Sequence, residues 1–436
     1  MQIILTITYA VIFLFFIRKF SFFKVEGISP KAPSAIFLIK IAAGICLGLI
    51  YTYYYTDIKT TDTFKFFNDS KILYGSLKNS PWDFFRMISG YHADDADLRH
   101  YYLQMDSWLN NNMFVNDNRT IIRLNAFFCL FTIGHYYPNV VFLNFLSFSG
   151  LFCLYKVFIS VLPERKKALL IFTFLFPSVL FWGSGLLKDG LLLFGLGLFL
   201  YQFHKLLTEK IDKSRIFFLL IGLAVLFLTK VYVIALLVPA LFAWYLSNKL
   251  ESIKPIYIFL ASYLIYFVVA FNVYHIFPEY HLAAILYWKQ WNFYGYALLM
   301  HSNSLIQIPL LDFNAITVIK YSPNAFANTL LRPSLLDISG NPLQLLAIAE
   351  NTLILLLLSL PIFFYRKQNK ASQNSLFLTA CFLTITLFIL IGLITPVLGA
   401  IVRYKIPGLP FLGFVLLYLT DILKLKKRIP ILDKYL

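Results

Sequence analysis

The chain has 436 residues, 59% of them hydrophobic and only 14% charged, with a formal net charge of +17. A soluble domain carries roughly 25% charge, so this balance excludes a soluble globular protein and indicates a polytopic membrane protein. The basic excess does not gather into a nucleic-acid-binding patch; it falls in short clusters between apolar runs, which is what the positive-inside rule produces.

The first apolar run, 3–17, has no basic residue ahead of it and Arg18 and Lys19 behind it. A cleavable signal has the opposite polarity, so an anchor helix with its N-terminus outside is expected. A second helix, about 35–54, returns to the outer side. The polar segment 56–118 follows and carries Asp57, Asp62, Asp69, Asp83, Asp94, Asp95, Asp97, Asp106 and Asp117. It reads as a first long extracytoplasmic loop. The run 121–133 is short and amphipathic. If it spanned the membrane, Arg165, Lys166 and Lys167 would land outside, so it is placed along the interface.

A helix over about 140–161 leads to a hairpin, 168–201. At its tip lie a Gly183-Ser184-Gly185 turn and the pair Lys188–Asp189. The ascending arm, 168–182, is roughly 22 Å long at 1.5 Å per residue, short of a hydrocarbon core of about 30 Å. The turn and its charges are therefore expected below the outer surface. An intramembrane lysine is a functional candidate; the plainer alternative is a lysine snorkelling from a helix end. A second hairpin, 216–246, has Thr229 and Lys230 at its tip. A helix over 256–274, a second long extracytoplasmic loop over 277–341, and helices near 343–364, 376–394 and 406–423 complete the chain. The expected fold is an all-α polytopic membrane protein of about 11 spanning helices (range about 10–13) in a single integral membrane domain, 1–436, with the N-terminus outside and the C-terminus cytoplasmic.

The four cysteines, Cys46, Cys129, Cys153 and Cys381, lie in apolar runs at unrelated spacings and suggest neither a disulfide framework nor a metal site. No P-loop or HExxH is present, and the seven histidines show no ligand spacing, so ATP-driven transport and zinc proteolysis have no support.

The topology puts two groups of charges on the same outer side. Asp57 and Asp62 come just after the second helix, near the head-group plane, where a carboxylate can deprotonate an acceptor hydroxyl. The alternative for either one is a solvated loop residue. Asp95-Ala96-Asp97 has the form of a metal-binding DxD and is a weaker candidate for a divalent metal; no other cofactor is expected. The basic group is Lys188, Lys230, Arg332 in LLRPSLLD, and Arg403 and Lys405 in IVRYKIPGLP, where the last helix opens. Cations outside run against the positive-inside bias. Phosphate recognition explains them, because Lys and Arg clamp phosphate oxygens and neutralise a leaving phosphate. Head-group anchoring is the alternative for each one singly.

The acidic outer loop after an early helix, the short hairpins with Leu228-Thr229-Lys230 at a tip, and the terminal RYKIPGLP from Arg403 to Pro410 resemble the membrane-embedded GT-C glycosyltransferases. These enzymes use polyprenyl-phosphate donors. The segment TDTFKFFNDSKILYGSL is similar to the one in which such enzymes place a catalytic Asp. By that match Asp62 is the base, with Asp57 behind it. The layout also resembles the Wzy-type and EpsG-like polysaccharide polymerases, which carry an outer-facing basic residue after a small-residue turn. That residue is usually Arg; here GSGLLKD supplies Lys188, without the bidentate fork of Arg.

These resemblances imply a glycosyltransferase of the plasma (inner) membrane, working in surface polysaccharide or glycolipid biosynthesis. Its partners would be a polyprenyl-phosphate-linked sugar donor, a glycan or glycolipid acceptor and the lipid bilayer, with no nucleic acid. A polymerase keeps the same chemistry but transfers a whole oligosaccharide. A transporter or flippase of lipid-linked glycans is the reading of a different class; it needs a phosphate site but no base. A purely structural membrane protein would scatter these charges around its rim.

Overall fold

The computed structural model describes residues 1–55, 61–109, 116–338, 341–366 and 371–428. Asp57 lies outside the described residues. The helices run in chain order as α1 (Gln2–Lys19), α2 (Lys31–Tyr53), α3 (Asp62–Ser76), α4 (Pro81–Ser89), α5 (Arg99–Tyr102), α6 (Asp117–Thr132) and α7 (Tyr136–Val161). There follow α8 (Lys166–Phe174), α9 (Pro177–Trp182), α10 (Lys188–Thr208), α11 (Lys213–Thr229), α12 (Val231–Lys249) and α13 (Pro255–Asn272). The last are α14 (Leu282–Leu299), α15 (Ala315–Leu331), α16 (Pro342–Phe363), α17 (Ser375–Ile394), α18 (Leu398–Tyr404), α19 (Leu409–Leu419) and α20 (Ile422–Arg428). Extended pairing among the described residues amounts to two isolated bridges, Leu305 with Val397 and Tyr365 with Thr420.

Local sequence fixes many of these boundaries. Ser80 caps α4 by accepting the Asp83 N–H, Pro81 opens the helix, and Gly90 closes it at φ 86°. Asn116, Asn341 and Asn374 cap α6, α16 and α17 through their side-chain oxygens, each satisfying an N–H that the helix leaves unpaired. Helix α1 is apolar on every face yet buries only Ile17, as expected of a helix whose solvent is lipid.

Nine segments among the described residues are long and apolar enough to cross a membrane: α1, α2, α7, α10, α12, Pro255–His275, α16, α17 and Leu398–Leu419. The protein is therefore an all-α polytopic membrane protein. The arms 168–182 and 216–229, counted within the expected hairpins but expected to fall short of a full span, are not among the nine. The first is broken into α8 and α9 around Leu175 and Phe176. The second, α11, has 17 residues, roughly 25 Å. The segment 277–341, expected as a loop, contains the helices α14 and α15.

The chain forms two compact units, Met1–Val157 with Val179–Val231, and Phe158–Ser178 with Tyr232–Leu436. In the first unit α7, α10 and α11 are held close by small residues. A Cβ built on Gly197 would fall 1.8 Å from the Gly150 carbonyl oxygen, so the two backbones touch, as small residues allow in membrane helices.

The described part of segment 56–118 is not a solvated loop. Helices α3, α4 and α5 fold over a core of Phe66, Phe67, Leu73, Met87, Leu98, Tyr101, Tyr102 and Trp108. Trp108 is fully buried, stacked on Tyr102 at 4.9 Å, with the Arg119 and Arg123 guanidiniums 4.9 and 5.2 Å from its ring. Asp69, buried on α3, accepts the backbone N–H groups of Asp106 and Ser107 at 2.9 and 2.8 Å and so clamps the end of this cap. In the second unit α15 packs on α17, with Leu286, Leu311, Val318, Ala325 and Leu393 in a small core of their own.

Candidate functional site

The Gly183-Ser184-Gly185 stretch is a break between α9 and α10, and it is fastened by side chains of α2 and α7. Lys40, in the middle of α2 and fully buried, donates from Nζ to the Gly183 carbonyl and to Ser184 Oγ, both at 3.1 Å. Ser147 Oγ donates to Gly183 O at 2.8 Å, and Asn144 Nδ2 to Ser184 O at 2.8 Å. Backbone freed by an interrupted membrane helix must find such partners, because lipid offers none. Gly44 on α2 makes the approach possible: a Cβ there would lie 2.4 Å from Ser184 O.

This break starts α10 at Lys188. Three helix termini then bring one ionic cluster together within the first unit. Asp117, the first residue of α6, receives both lysines on one oxygen. Lys188 Nζ lies 2.8 Å from Asp117 Oδ2, and Lys230 Nζ 3.1 Å from the same atom. Lys188 also donates to Asn118 Oδ1 at 2.7 Å and sits 5.2 Å from the centre of the Phe66 ring. The side chains are only 11, 16 and 19% exposed for Lys188, Asp117 and Lys230. Asp117 suits the positive end of α6, and Lys230 the negative end of α11; Lys188 opens α10, where the helix dipole opposes a cation. Burial alone would raise the Asp117 carboxyl, but the two ammoniums outweigh it and hold the group below the usual carboxylate range. Asp62, exposed at the start of α3, acts electrostatically on Lys188.

The second unit holds another polar chain. Lys405 is 1% exposed and donates to Asn351 Oδ1 at 2.5 Å. Asn351 Nδ2 donates to the Pro333 carbonyl at 2.8 Å, next to Arg332. Arg332 is engaged by Asp337, whose carboxyl this contact lowers to about 2. Glu350 acts on Lys405, accepts the Ser178 N–H at 2.6 Å, and keeps its other oxygen buried without a hydrogen-bond partner among the described residues. Arg403 is half-buried in the last turn of α18. Arg403 and Lys405 were expected to open the last helix. They sit instead at the join of α18 and α19, inside the apolar segment Leu398–Leu419.

Of the expected phosphate ligands, Lys188 and Lys230 thus meet around one carboxylate, and Lys405 reaches through Asn351 to the Pro333 carbonyl, the residue after Arg332. Asp95 and Asp97 are both taken up by Arg86, at 2.7 and 2.6 Å. That contact holds the Asp97 carboxyl below its ordinary value. No group of three or more His, Cys, Asp or Glu side chains is placed to hold a metal among the described residues.

Sequence reasoning gave no role to Lys40, Asn118, Glu350 or Asn351, and it counted Asp117 only as one more loop aspartate. Lys40 had a signal of its own, a lysine inside the apolar run 31–53. The partner of Asp117 had none, since the contacts to Lys188 and Lys230 cross 71 and 113 residues of chain. No family model, no curated protein and no solved structure matches the chain.

Proposed function

We propose that the protein is an integral-membrane glycosyltransferase, in the plasma (inner) membrane, that uses a polyprenyl-phosphate-linked sugar donor to build a surface polysaccharide or glycolipid. One observation carries this reading: two lysines from separate hairpins share a single anionic slot, largely shielded from solvent, at the junction of three helix termini. Two ammoniums in such a place bind phosphate oxygens and stabilise the charge of a departing phosphate. Asp62, close enough to act on Lys188 yet exposed, is the base for the acceptor hydroxyl. Arg332, Arg403 and Lys405 are proposed as phosphate-binding residues within the second unit. Opposite ends of the chain face opposite sides, the N-terminus outside.

The test is sugar transfer from a polyprenyl-phosphate donor in membranes, with protein level controlled. General-base assistance is worth about 10²–10⁴-fold, so Asp62→Asn is expected to lower transfer by at least about 10²-fold, and Lys188→Gln to weaken donor use as well. Near-normal transfer by Asp62→Asn removes Asp62 as base. A flippase or transporter of lipid-linked glycans would tolerate that substitution, since it moves its cargo without deprotonating it.

A further inference from the structure

Helix α14 is not among the nine described segments apolar enough to span. One of its faces is fixed to the second unit, with Ala283, Leu286, Gln290 and Ala297 buried. Gln290 donates from Nε2 to the Leu393 carbonyl at 2.7 Å and to the Pro309 carbonyl at 2.9 Å, and its oxygen accepts the Leu311 N–H at 2.9 Å. With that face locked, the opposite one carries Ile285, Trp288, Lys289 and Asn292, at the spacing of a single helical stripe. All four are exposed. The turn Pro278–Tyr280 and His281 fold back beside this stripe and close a cleft of about 320 Å³ against it. Small-molecule sites run from about 300 to 1,000 Å³, so this one suits a compact ring and not a polyprenyl chain.

The walls describe the guest. Trp288, 51% exposed, supplies an indole whose electron-rich face attracts C–H groups. Glu279 supplies acceptors, Lys289 donors, and Asn292 both. His281 accepts the Ala284 N–H on Nδ1 at 3.0 Å, so the ring's proton sits on Nε2, a further donor. One acidic and one basic residue give the cleft no favoured sign: Glu279 opposes an anionic guest and Lys289 a cationic one. A pyranose ring answers each feature, with C–H bonds on one face and hydroxyls around its edge that both donate and accept. We propose that the cleft between Pro278–Tyr280 and α14 binds an uncharged pyranose unit of the acceptor glycan, its C–H face on the Trp288 indole and its hydroxyls on Glu279, Lys289 and Asn292. This rests on the reading of the protein as a glycosyltransferase, which puts the segment 277–341 on the outer side with the growing glycan. The walls are exposed, so a glycan chain can run on past the cleft, and no bond is made or broken there.

The experiment presents the full-length protein, in fluorescent phosphatidylcholine nanodiscs, to an array of neutral and acidic surface-polysaccharide fragments, and then titrates the fragment bound best. The wild-type protein is expected to bind fragments with uncharged pyranose units. Trp288→Ala should lower affinity by about tenfold or more, as loss of an aromatic anchor does, and Asn292→Ala should act in the same direction. Trp291 is as exposed on α14, at 52%, but does not line the cleft, so Trp291→Ala should leave binding unchanged. No binding by the wild-type protein, or equal binding by it and Trp288→Ala, overturns the proposal. So does an equal loss in Trp288→Ala and Trp291→Ala, since both tryptophans would then only seat α14 against lipid head groups. Binding confined to acidic fragments overturns the uncharged class. Failure of the underlying reading looks different: the wild-type protein would bind the fragments through Trp288 yet transfer no sugar to them from a polyprenyl-phosphate donor.

Discussion

Replacing Gly197 with alanine tests whether the close contact of α7 and α10 holds the site in shape. A Cβ at that position would lie 1.8 Å from Gly150 O, 2.5 Å from Gly150 C and 3.0 Å from its Cα. Side-chain carbons essentially never approach within 3.0 Å of such atoms, so the helices must separate by about 1.2 Å or α7 must bend, as close-packed interiors allow only at a cost. The obstacle is backbone, and no rotamer change relieves it. Overpacking of this kind costs about 1–3 kcal/mol and sometimes more; a backbone-to-backbone clash belongs at the upper end, about 3 kcal/mol. Lys188 lies nine residues up the same helix, roughly 13 Å away, so the displacement carries to the Asp117 cluster. The expected result is a melting temperature lower by about 3 °C or more, together with weakened phosphate binding. Gly75→Ala is the control. Nothing lies within 4 Å of a Cβ at Gly75 on α3, and helix propensity alone favours alanine by about 0.5–1 kcal/mol. If Gly197→Ala melts no lower than Gly75→Ala, the close contact does not organise this unit.

Two further expectations concern the segment 56–118 and its sidedness. Burial pushes the Asp69 carboxyl up from 3.8 to about 6, against its two backbone N–H donors. The folded state then holds a proton that the unfolded chain has released. The contribution of Asp69 to stability is fully present below about pH 4, falls by about 3 kcal/mol as pH rises to about 6, and is level above that; Asp69→Asn should remove this slope in melts taken from pH 4 to 7, and an unaltered slope would exclude Asp69 as its source. Cysteines introduced at Asn79 and Ser302 should both react with an impermeant thiol reagent from the same, outer side of the membrane; labelling from opposite sides would break the topology on which a shared outer surface depends.

The apolar runs made the membrane class legible, and the short arm before Gly183 made the interruption between α9 and α10 legible too. Lysine positions at the hairpin tips could be read because charge is rare in such sequence. Their partner could not, since pairing across 71 and 113 residues leaves no local pattern. The cap made by α3, α4 and α5 was hidden by its aspartates. Its apolar residues, Phe66, Met87 and Trp108 among them, come in short helices whose periods are too brief to stand out. Yet the Ser80-Pro81 start of α4 is an ordinary capping signal. Lys405 looked like a helix-end residue because the chain from Arg403 to Pro410 is rich in charge, proline and glycine. Its burial follows from Asn351 and Glu350 on α16, which sequence alone does not bring near.

Lys40 has a consequence for how the protein is made. Its helix leaves the ribosome long before the acceptors of the ammonium exist, because Gly183 and Ser184 lie 143 and 144 residues further on. At about 5–20 residues per second, synthesis of that stretch takes roughly seven to thirty seconds. Through that interval α2 must enter the bilayer carrying a lysine near its centre, a burden of about 2.5–3.5 kcal/mol for translocon insertion. Even with Lys40 counted, a window of the helix has a mean hydropathy of 2.1, apolar enough to go in regardless. Newly inserted α2 thus carries its lysine without these two acceptors until the turn between α9 and α10 has been made.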